Sequence, residues 1–222
     1  MKADDRKSLR RAVKDNDLDK LRELIAVHGP NVSVYSKVRH SLLHDVCGED
    51  RPATVHLLIK KGANINARNS SEATPLHIAC FNGCINSVRL LIESGADVEM
   101  IDINNLTPFD DICQSRADVF DETYAEIGDI LLAHGINIDS FISENETNLH
   151  YACRNIQVNV VRFLLSRGAD PTICDYFDST PLDIAMGLPR DIPEREEILN
   201  LFCEFHPELY FSTFCTQFPG GV

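Results

Sequence analysis

The chain has 222 residues, 44% of them hydrophobic, and a formal net charge of −13. This excess of acidic groups disfavours general binding to nucleic acids, which are polyanions. No run of apolar residues approaches the roughly 18 that a membrane span needs, and no apolar segment follows the first charged residues as in a secretory signal. We therefore expect a soluble cytoplasmic or nuclear protein that contacts no membrane.

The charge is unevenly distributed along the chain. Residues 1–40 carry ten Lys or Arg and six Asp or Glu, whereas residues 97–146 carry thirteen acidic residues and Arg116 as the one base. Such a negative field attracts and steers a basic partner.

Residues 5–28 have the pattern of two amphipathic helices. Their apolar positions recur at helical spacing: Leu9, Ala12 and Val13 in the first, and Leu18, Leu21, Leu24 and Ile25 in the second. The charged remainder is typical of a terminal repeat with one solvated face.

From residue 41 onward, one four-residue motif returns at a nearly constant interval. It begins at Ser41, Thr74, Thr107, Thr147 and Thr180, with spacings of 33, 33, 40 and 33. A glycine returns with the same spacings, at Gly29, Gly62, Gly95, Gly135 and Gly168. The two markers also share one seven-residue insertion, which indicates internal repeats over roughly 36–64, 69–97, 102–137, 142–170 and 175–206.

Residues 74–99 show what one repeat should build. Thr74 can cap a helix with Pro75 at its first position, where a missing N–H costs nothing. A second helix carries Val88, Leu91 and Ile92 on one face, and Gly95 supplies the left-handed residue that ends it. Neither helix is long enough to be stable alone, so neighbouring repeats must stack and share a core.

The period of 33, the Thr-Pro-Leu-His-x-Ala motif at residues 74–79 and the later Gly-Ala-Asp at residues 95–97 resemble the ankyrin repeat. The resemblance covers roughly residues 5–206. It implies an all-α fold, an ankyrin-repeat solenoid of stacked helix–turn–helix units joined by β-hairpin loops. We expect residues 1–206 to form one domain of about six repeats, with atypical end repeats, and residues 207–222 to form a tail.

The sequence departs from the ankyrin pattern at the hairpin turns and in two motif histidines. The turn glycine is replaced by Arg39, Glu72, Asn105, Asn145 or Asp178; Asn and Asp tolerate that geometry, whereas Arg39 and Glu72 fit it less well. Asp110 and Asp183 stand where the other motifs have histidine.

Two insertions and the tail are the irregular segments. The insertion of repeat four falls between its helices, around residues 115–123, and is either a binding feature or a neutral length variant. Residues 188–193 should form a loop leading into a helix from Glu194. The aromatic tail residues Tyr210, Phe211, Phe214 and Phe218 either cover the last repeat or dock elsewhere.

The histidines and cysteines raise the question of metal or nucleophilic chemistry. His77, Cys80 and Cys84 could lie on one helical side as zinc ligands. However, Cys47, Cys80, Cys113 and Cys153 occupy one repeated slot that suits a small apolar side chain. We therefore expect reduced thiols in the core, no metal, no cofactor and no catalytic residues.

The resemblance implies that partners meet the hairpin tips and the first-helix face, on the concave surface of the array. The contact positions that it indicates are Phe81, Asn82, Ile103, Asn104, Leu106, Gln114, Glu144, Glu146, Arg154, Tyr176 and Phe177. Several are apolar where a purely structural repeat could be polar, and exposed apolar anchors are typical of partner surfaces. The alternative is that some of them pack between adjacent hairpins.

The sequence thus favours a non-catalytic, monomeric protein-interaction module that binds a basic segment of another protein. The alternative is a substrate-recognition adaptor of a ubiquitin ligase complex, for which the aromatic tail is the one candidate second docking element. An enzyme with a site in the 115–123 loop is the weakest of the three hypotheses.

Overall fold

A computed structural model describes residues 3–32, 40–114, 120–143 and 145–209. The chain folds into two compact units. The N-terminal unit contains Met1–Ile112 and Glu122–Ile136, and the C-terminal unit contains Cys113–Asp121 and Asn137–Val222. The single array over residues 1–206 with a separate tail stays a prediction.

The helices of the N-terminal unit come in pairs. In chain order they are α1 (Ala3–Lys14), α2 (Leu18–His28), α3 (Leu42–Gly48), α4 (Pro52–Lys60), α5 (Pro75–Phe81), α6 (Ile85–Glu93), α7 (Pro108–Cys113, its last residue assigned to the other unit) and α8 (Glu122–Ala133). Each first helix packs on its own second helix in the pairs α1–α2, α3–α4 and α5–α6. Neighbouring pairs stack α3 on α5, α2 on α4, α4 on α6, and α6 on α8.

The C-terminal unit repeats this arrangement. It contains strands β1 (Phe141–Ser143) and β2 (Glu146–Thr147), then α9 (Asn148–Arg154), α10 (Val158–Ser166), α11 (Pro181–Gly187) and α12 (Pro193–Phe205). The strands form an antiparallel hairpin in which Phe141 pairs with Thr147 and Ser143 with Glu146. Helix α9 packs on α10 and α11, and α12 packs on α10 and α11. The predicted all-α repeat architecture is confirmed.

The repeat at residues 74–99 forms as its sequence predicts. Thr74 is the N-cap of α5 with Pro75 at the first position, and its hydroxyl accepts from the His77 backbone N–H. The predicted apolar face of α6 is buried, and so are Leu76, Ala79 and Cys80 of α5. Gly95 follows the C-cap of α6 with a φ of +89°, the left-handed conformation that ends the helix.

The two insertions lie between helices. Helix α8 begins at Glu122, so the longer connection joins α7 to α8 as expected; residues 115–119 within it lie outside the described part of the chain. Helix α12 begins at Pro193, one residue before the predicted start, because proline needs no helical N–H partner there. Tail residues 210–222 are also outside the described residues.

Cysteine occupies one repeated position of the core in both units. Cys47, Cys80, Cys113 and Cys153 are fully buried, as the sequence predicts. No disulfide joins cysteines in the described residues.

Among those residues, no helix combines the length and the apolar character needed to cross a bilayer.

Candidate functional site

Three hairpin tips are held by an acidic or amide side chain at their first position, namely Asn69, Asp102 and Asp175. Asp102 Oδ1 accepts from the backbone N–H groups of Asn104 (2.7 Å) and Leu106 (3.0 Å). Asp175 Oδ1 does the same for Phe177 (2.8 Å) and Ser179 (3.0 Å). Because short polar side chains satisfy these N–H groups locally, the tips keep a defined shape.

The turn position usually taken by glycine is left-handed in every described hairpin. Glu72, Asn105, Asn145 and Asp178 have φ between +57° and +61°. Arg39, the fifth such position, lies outside the described residues. Glu72 tolerates this conformation while Arg68 donates to its carboxylate at 2.8 Å and to its carbonyl at 3.2 Å.

Three motif histidines each connect one hairpin to the first helix that precedes it. Nδ1 of His44, His77 and His150 accepts from the backbone N–H of Ser41, Thr74 and Thr147, at 3.1, 3.1 and 3.2 Å. Nε2 lies 3.0–3.1 Å from the carbonyl oxygens of Ala73, Leu106 and Ser179, each 29 residues further along. A carbonyl only accepts, so Nε2 carries a proton. Nδ1 accepts from an N–H and so carries none, which makes the ring neutral.

Burial keeps these rings neutral. Desolvation lowers the pKa of His44 from 6.5 to about 4, against the opposing effect of the Ala73 carbonyl. Burial likewise lowers the pKa of His77 and of His150. The histidines therefore hold hairpins in place rather than transfer protons.

Predicted contact residues of the N-terminal unit lie on the α5 end and the following hairpin. Phe81 is 58% exposed and Ile103 is 63% exposed. Asn82 and Asn104 are exposed. The Asn82 side-chain amide donates to the Ile78 carbonyl at 2.8 Å, and that of Asn104 donates to the Asp102 carboxylate at 3.0 Å. Leu106 is half-buried, and its carbonyl is the acceptor for His77.

Predicted contact residues of the C-terminal unit include one aromatic pair. Tyr176 and Phe177 are 73% and 68% exposed, and their rings meet edge to face with centroids 5.5 Å apart. Gln114 is half-buried directly after α7. Glu144 lies outside the described residues.

Glu146 and Arg154 form an ion-pair cluster within the C-terminal unit. The Arg154 guanidinium lies 2.8 Å from Glu146 and 3.5 Å from Asp175, the residue that shapes the Tyr176–Phe177 tip. Both carboxylates are nearly buried, whereas the Arg154 side chain is half exposed. Glu146 thus faces Arg154 inside its own unit, and Arg154 links two neighbouring hairpins.

Comparison with known proteins adds to this geometry. The family described as ankyrin repeats (3 copies) matches residues 9–102, and that described as ankyrin repeats (many copies) matches residues 131–185. The chain belongs to the ankyrin repeat proteins. Ankyrin repeats are protein–protein interaction modules, so this chain is one as well.

Two curated ankyrin proteins are similar over shorter stretches. The chain is 38% identical over 81 residues to mouse ankyrin repeat and SOCS box protein 5, covering 36% of the chain and 23% of that protein. It is 39% identical over 57 residues to the Caenorhabditis elegans ankyrin repeat and LEM domain-containing protein 1 homolog, covering 26% of the chain and 8% of that protein. The chain therefore spans less than a quarter of either relative.

Two exposed apolar residues on the ankyrin hairpins were missed by the sequence prediction. Ile101 and Phe141 each begin a hairpin and are exposed. They lie just before the positions that the family pattern marks as contacts. Phe141 and Ile142 are adjacent apolar residues, and in a strand adjacent side chains point to opposite faces, so one of the two had to be exposed.

The buried thiols do not behave as nucleophiles. Burial raises the pKa of Cys47, Cys80 and Cys153, so these groups stay protonated. Since the thiolate is the reactive form, they act as small apolar side chains. His77 Nε2 and Cys80 are likewise engaged by the Leu106 carbonyl and by the core, not by each other.

Proposed function

We propose that this ankyrin repeat protein is a non-catalytic interaction module that binds a basic segment of a partner protein. Each unit contributes its hairpin tips and the ends of its first helices. The module acts as a monomer in the cytoplasm or nucleus, and its partner is neither a nucleic acid nor a membrane.

The position of the exposed apolar side chains carries this proposal. In the described residues, seven large apolar side chains are exposed: Val27, Phe81, Ile101, Ile103, Phe141, Tyr176 and Phe177. All but Val27 lie on a hairpin or at the C-terminal end of a first helix. Large apolar side chains, aromatic ones above all, supply most of the binding energy where proteins meet.

Acidic groups next to these anchors support a basic partner. Asp102 and Asp178 lie on the same hairpins as Ile103 and Tyr176. A lysine or arginine that passes over the hairpins would meet carboxylates beside apolar rings. This arrangement favours cation–π and charge-assisted contacts with the same partner side chain.

The proposal is tested by a double substitution, Phe81→Ala with Tyr176→Ala, in a pull-down quantified by mass spectrometry. Both side chains are exposed, so the fold should remain while specific partners are lost by about tenfold or more. Val27→Ala is the matched control, because Val27 is 76% exposed and lies on α2 away from the hairpins. If the double variant and the wild type capture the partners equally, the hairpin surface does not bind them.

The basic character of the partner is tested with the same captured proteins at two salt concentrations. Binding should weaken several-fold between 50 and 300 mM salt, because the screening length falls by about half or more over that range. If the amount of captured partner does not depend on salt, the contact is apolar and the proposed charge complementarity is wrong.

A second candidate is a substrate-recognition adaptor of a ubiquitin ligase complex. The name of the mouse relative, ankyrin repeat and SOCS box protein 5, is the observation that favours it. Co-purification of a cullin with the full chain, and its loss when residues 207–222 are removed, would support this function. A full chain that captures its partners without any ligase subunit would argue for the simpler module.

A further inference from the structure

A groove runs between the second helices α6 and α8 of the N-terminal unit, away from the hairpins. It encloses about 370 Å³. This is at the low end of the range of about 300–1,000 Å³ for ligand clefts. The groove has room for one or two side chains of a partner rather than for a larger body.

The lining of the groove is apolar at its base. Ile92 is almost buried, Ile130 is half-buried and Ala133 is exposed. The short Ala133 side chain leaves the end of α8 open beside the two isoleucines. An aliphatic side chain placed there would remove apolar surface from water on both sides.

The rim of the groove is acidic. Its charged residues are three carboxylates, Glu93, Glu126 and Asp129, against the single guanidinium of Arg89. Arg89 forms an ion pair with Glu126 across the groove wall, and the exposed carboxylate of Glu93 adds a further negative charge at the rim. A cationic group beside the aliphatic side chain matches that field.

One end of the groove presents a further acceptor. His134 Nδ1 lies 2.7 Å from the Ile130 carbonyl, which can only accept. Nδ1 therefore carries a proton, and in the neutral form of the ring Nε2 is the acceptor nitrogen. An ammonium or amide N–H of a bound segment can donate to it.

We propose that this groove is a second docking site, which binds a short peptide segment carrying an aliphatic side chain next to a lysine. It lies on the second helices and does not use the hairpin residues of the proposed function. The aliphatic side chain packs on Ile92 and Ile130, and the lysine ammonium faces Glu93.

The test is an amide-shift titration of the full ¹⁵N-labelled chain with acetyl-Lys-Leu-Leu-Lys-amide. Two comparison peptides replace the lysines by glutamate or the leucines by serine. The first peptide should produce saturable shifts on α6 and α8 at concentrations of about 1 mM, as expected for a small contact. Each comparison peptide should bind at least tenfold more weakly.

A substitution pair separates the groove from the rest of the surface. Ala133→Arg fills the groove and weakens its negative field, and it should weaken binding of the lysine–leucine peptide at least tenfold. Ala26→Arg is the matched control, because Ala26 is also an exposed alanine in the last turn of a helix, and it should leave binding unchanged. Glu93→Gln, a smaller change at the exposed rim, should weaken binding about two- to fivefold.

The proposal is overturned by any of three results. The three peptides could shift the same amides equally, the shifts could lie on the hairpins, or Ala133→Arg could bind like Ala26→Arg. None of these bears on the Phe81 and Tyr176 experiment, so the two proposals fail separately.

Discussion

At the residue scale, Asp111 is the carboxylate whose ionisation the fold opposes most clearly. It lies on α7, half-buried. Burial, together with the neighbouring carboxylates Asp102 and Asp110, raises the pKa of Asp111 to about 7. The native state therefore holds this proton more tightly than the unfolded chain does.

Replacing Asp111 by asparagine should stabilise the protein in a pH-dependent way. Stability that the wild type has below pH 3.8 is lost as pH rises towards 7, because the buried carboxyl then ionises. Asparagine stays neutral, so Asp111→Asn should raise the free energy of unfolding by roughly 1–3 kcal/mol at pH 8 and change it little at pH 4. Urea unfolding of both proteins at the two pH values measures this.

Glu93→Gln serves as the control for that experiment, because it removes an exposed carboxylate from α6. Its effect should be small at both pH values. A stabilisation by Asp111→Asn that is the same at pH 4 and pH 8 would show that charge is not the cause.

At the element scale, every second helix except α12 ends beside a glycine in the left-handed conformation. Gly95 has a φ of +89°, and a Cβ built on it meets no atom within 4 Å. The room for a side chain is thus present, and only the backbone conformation opposes one. Gly187, the last residue of α11, has equal room without a positive φ.

The same substitution should therefore have opposite effects at these two glycines. Gly95→Ala should destabilise by about 1–2 kcal/mol, since an L-residue is strained there. Gly187→Ala should stabilise by about 0.5–1 kcal/mol, since alanine favours the helix. Thermal or urea unfolding of the two variants provides the comparison, and a loss of stability at both positions would point to a packing defect instead.

At the scale of the whole molecule, both units rely on neutral motif histidines. His44 and His77 belong to the N-terminal unit and His150 to the C-terminal unit. Burial lowers the pKa of all three rings, to about 4 for His44. Since the unfolded chain binds these protons at 6.5, the stability contributed by the neutral rings is present above pH 6.5 and is lost as pH falls towards 4.

We expect the free energy of unfolding to fall by several kcal/mol between pH 6.5 and 4, because each ring contributes about 1.4 kcal/mol for every unit by which its pKa is lowered. The measurement is best made on Asp111→Asn, because Asp111 has the opposite pH dependence. Imidazole NMR signals give an independent check: the three rings should remain neutral at pH 6. Titration of all eight histidines near 6.5 would contradict the structure.

The repeat pattern predicted most of the local structure. Periodic motifs report backbone requirements that each unit must meet by itself: the cap at Thr74, the left-handed turn at Asn105 and the small buried side chain at Cys80. Glu72 was expected to fit its turn poorly, and it adopts the turn conformation while Arg68 binds both its carboxylate and its carbonyl. A contact between two side chains of this kind is not visible in a motif.

The candidate contact surface was only partly readable from the sequence. Phe81, Ile103, Tyr176 and Phe177 are exposed at the positions indicated, and their role in binding stays a prediction. Glu146 occupies an indicated position too, yet its carboxylate is nearly buried beside Arg154. Phe141 is exposed at a position that the family pattern does not mark.

The sequence by itself determined the repeats, their helices and their turns, because each of these follows from the local chemistry of a 33-residue unit. Only the tertiary structure decided which side chains remain exposed, which carboxylates are paired, and that a groove opens between α6 and α8. These features depend on distances between side chains of different repeats, and the order of residues along the chain does not contain those distances.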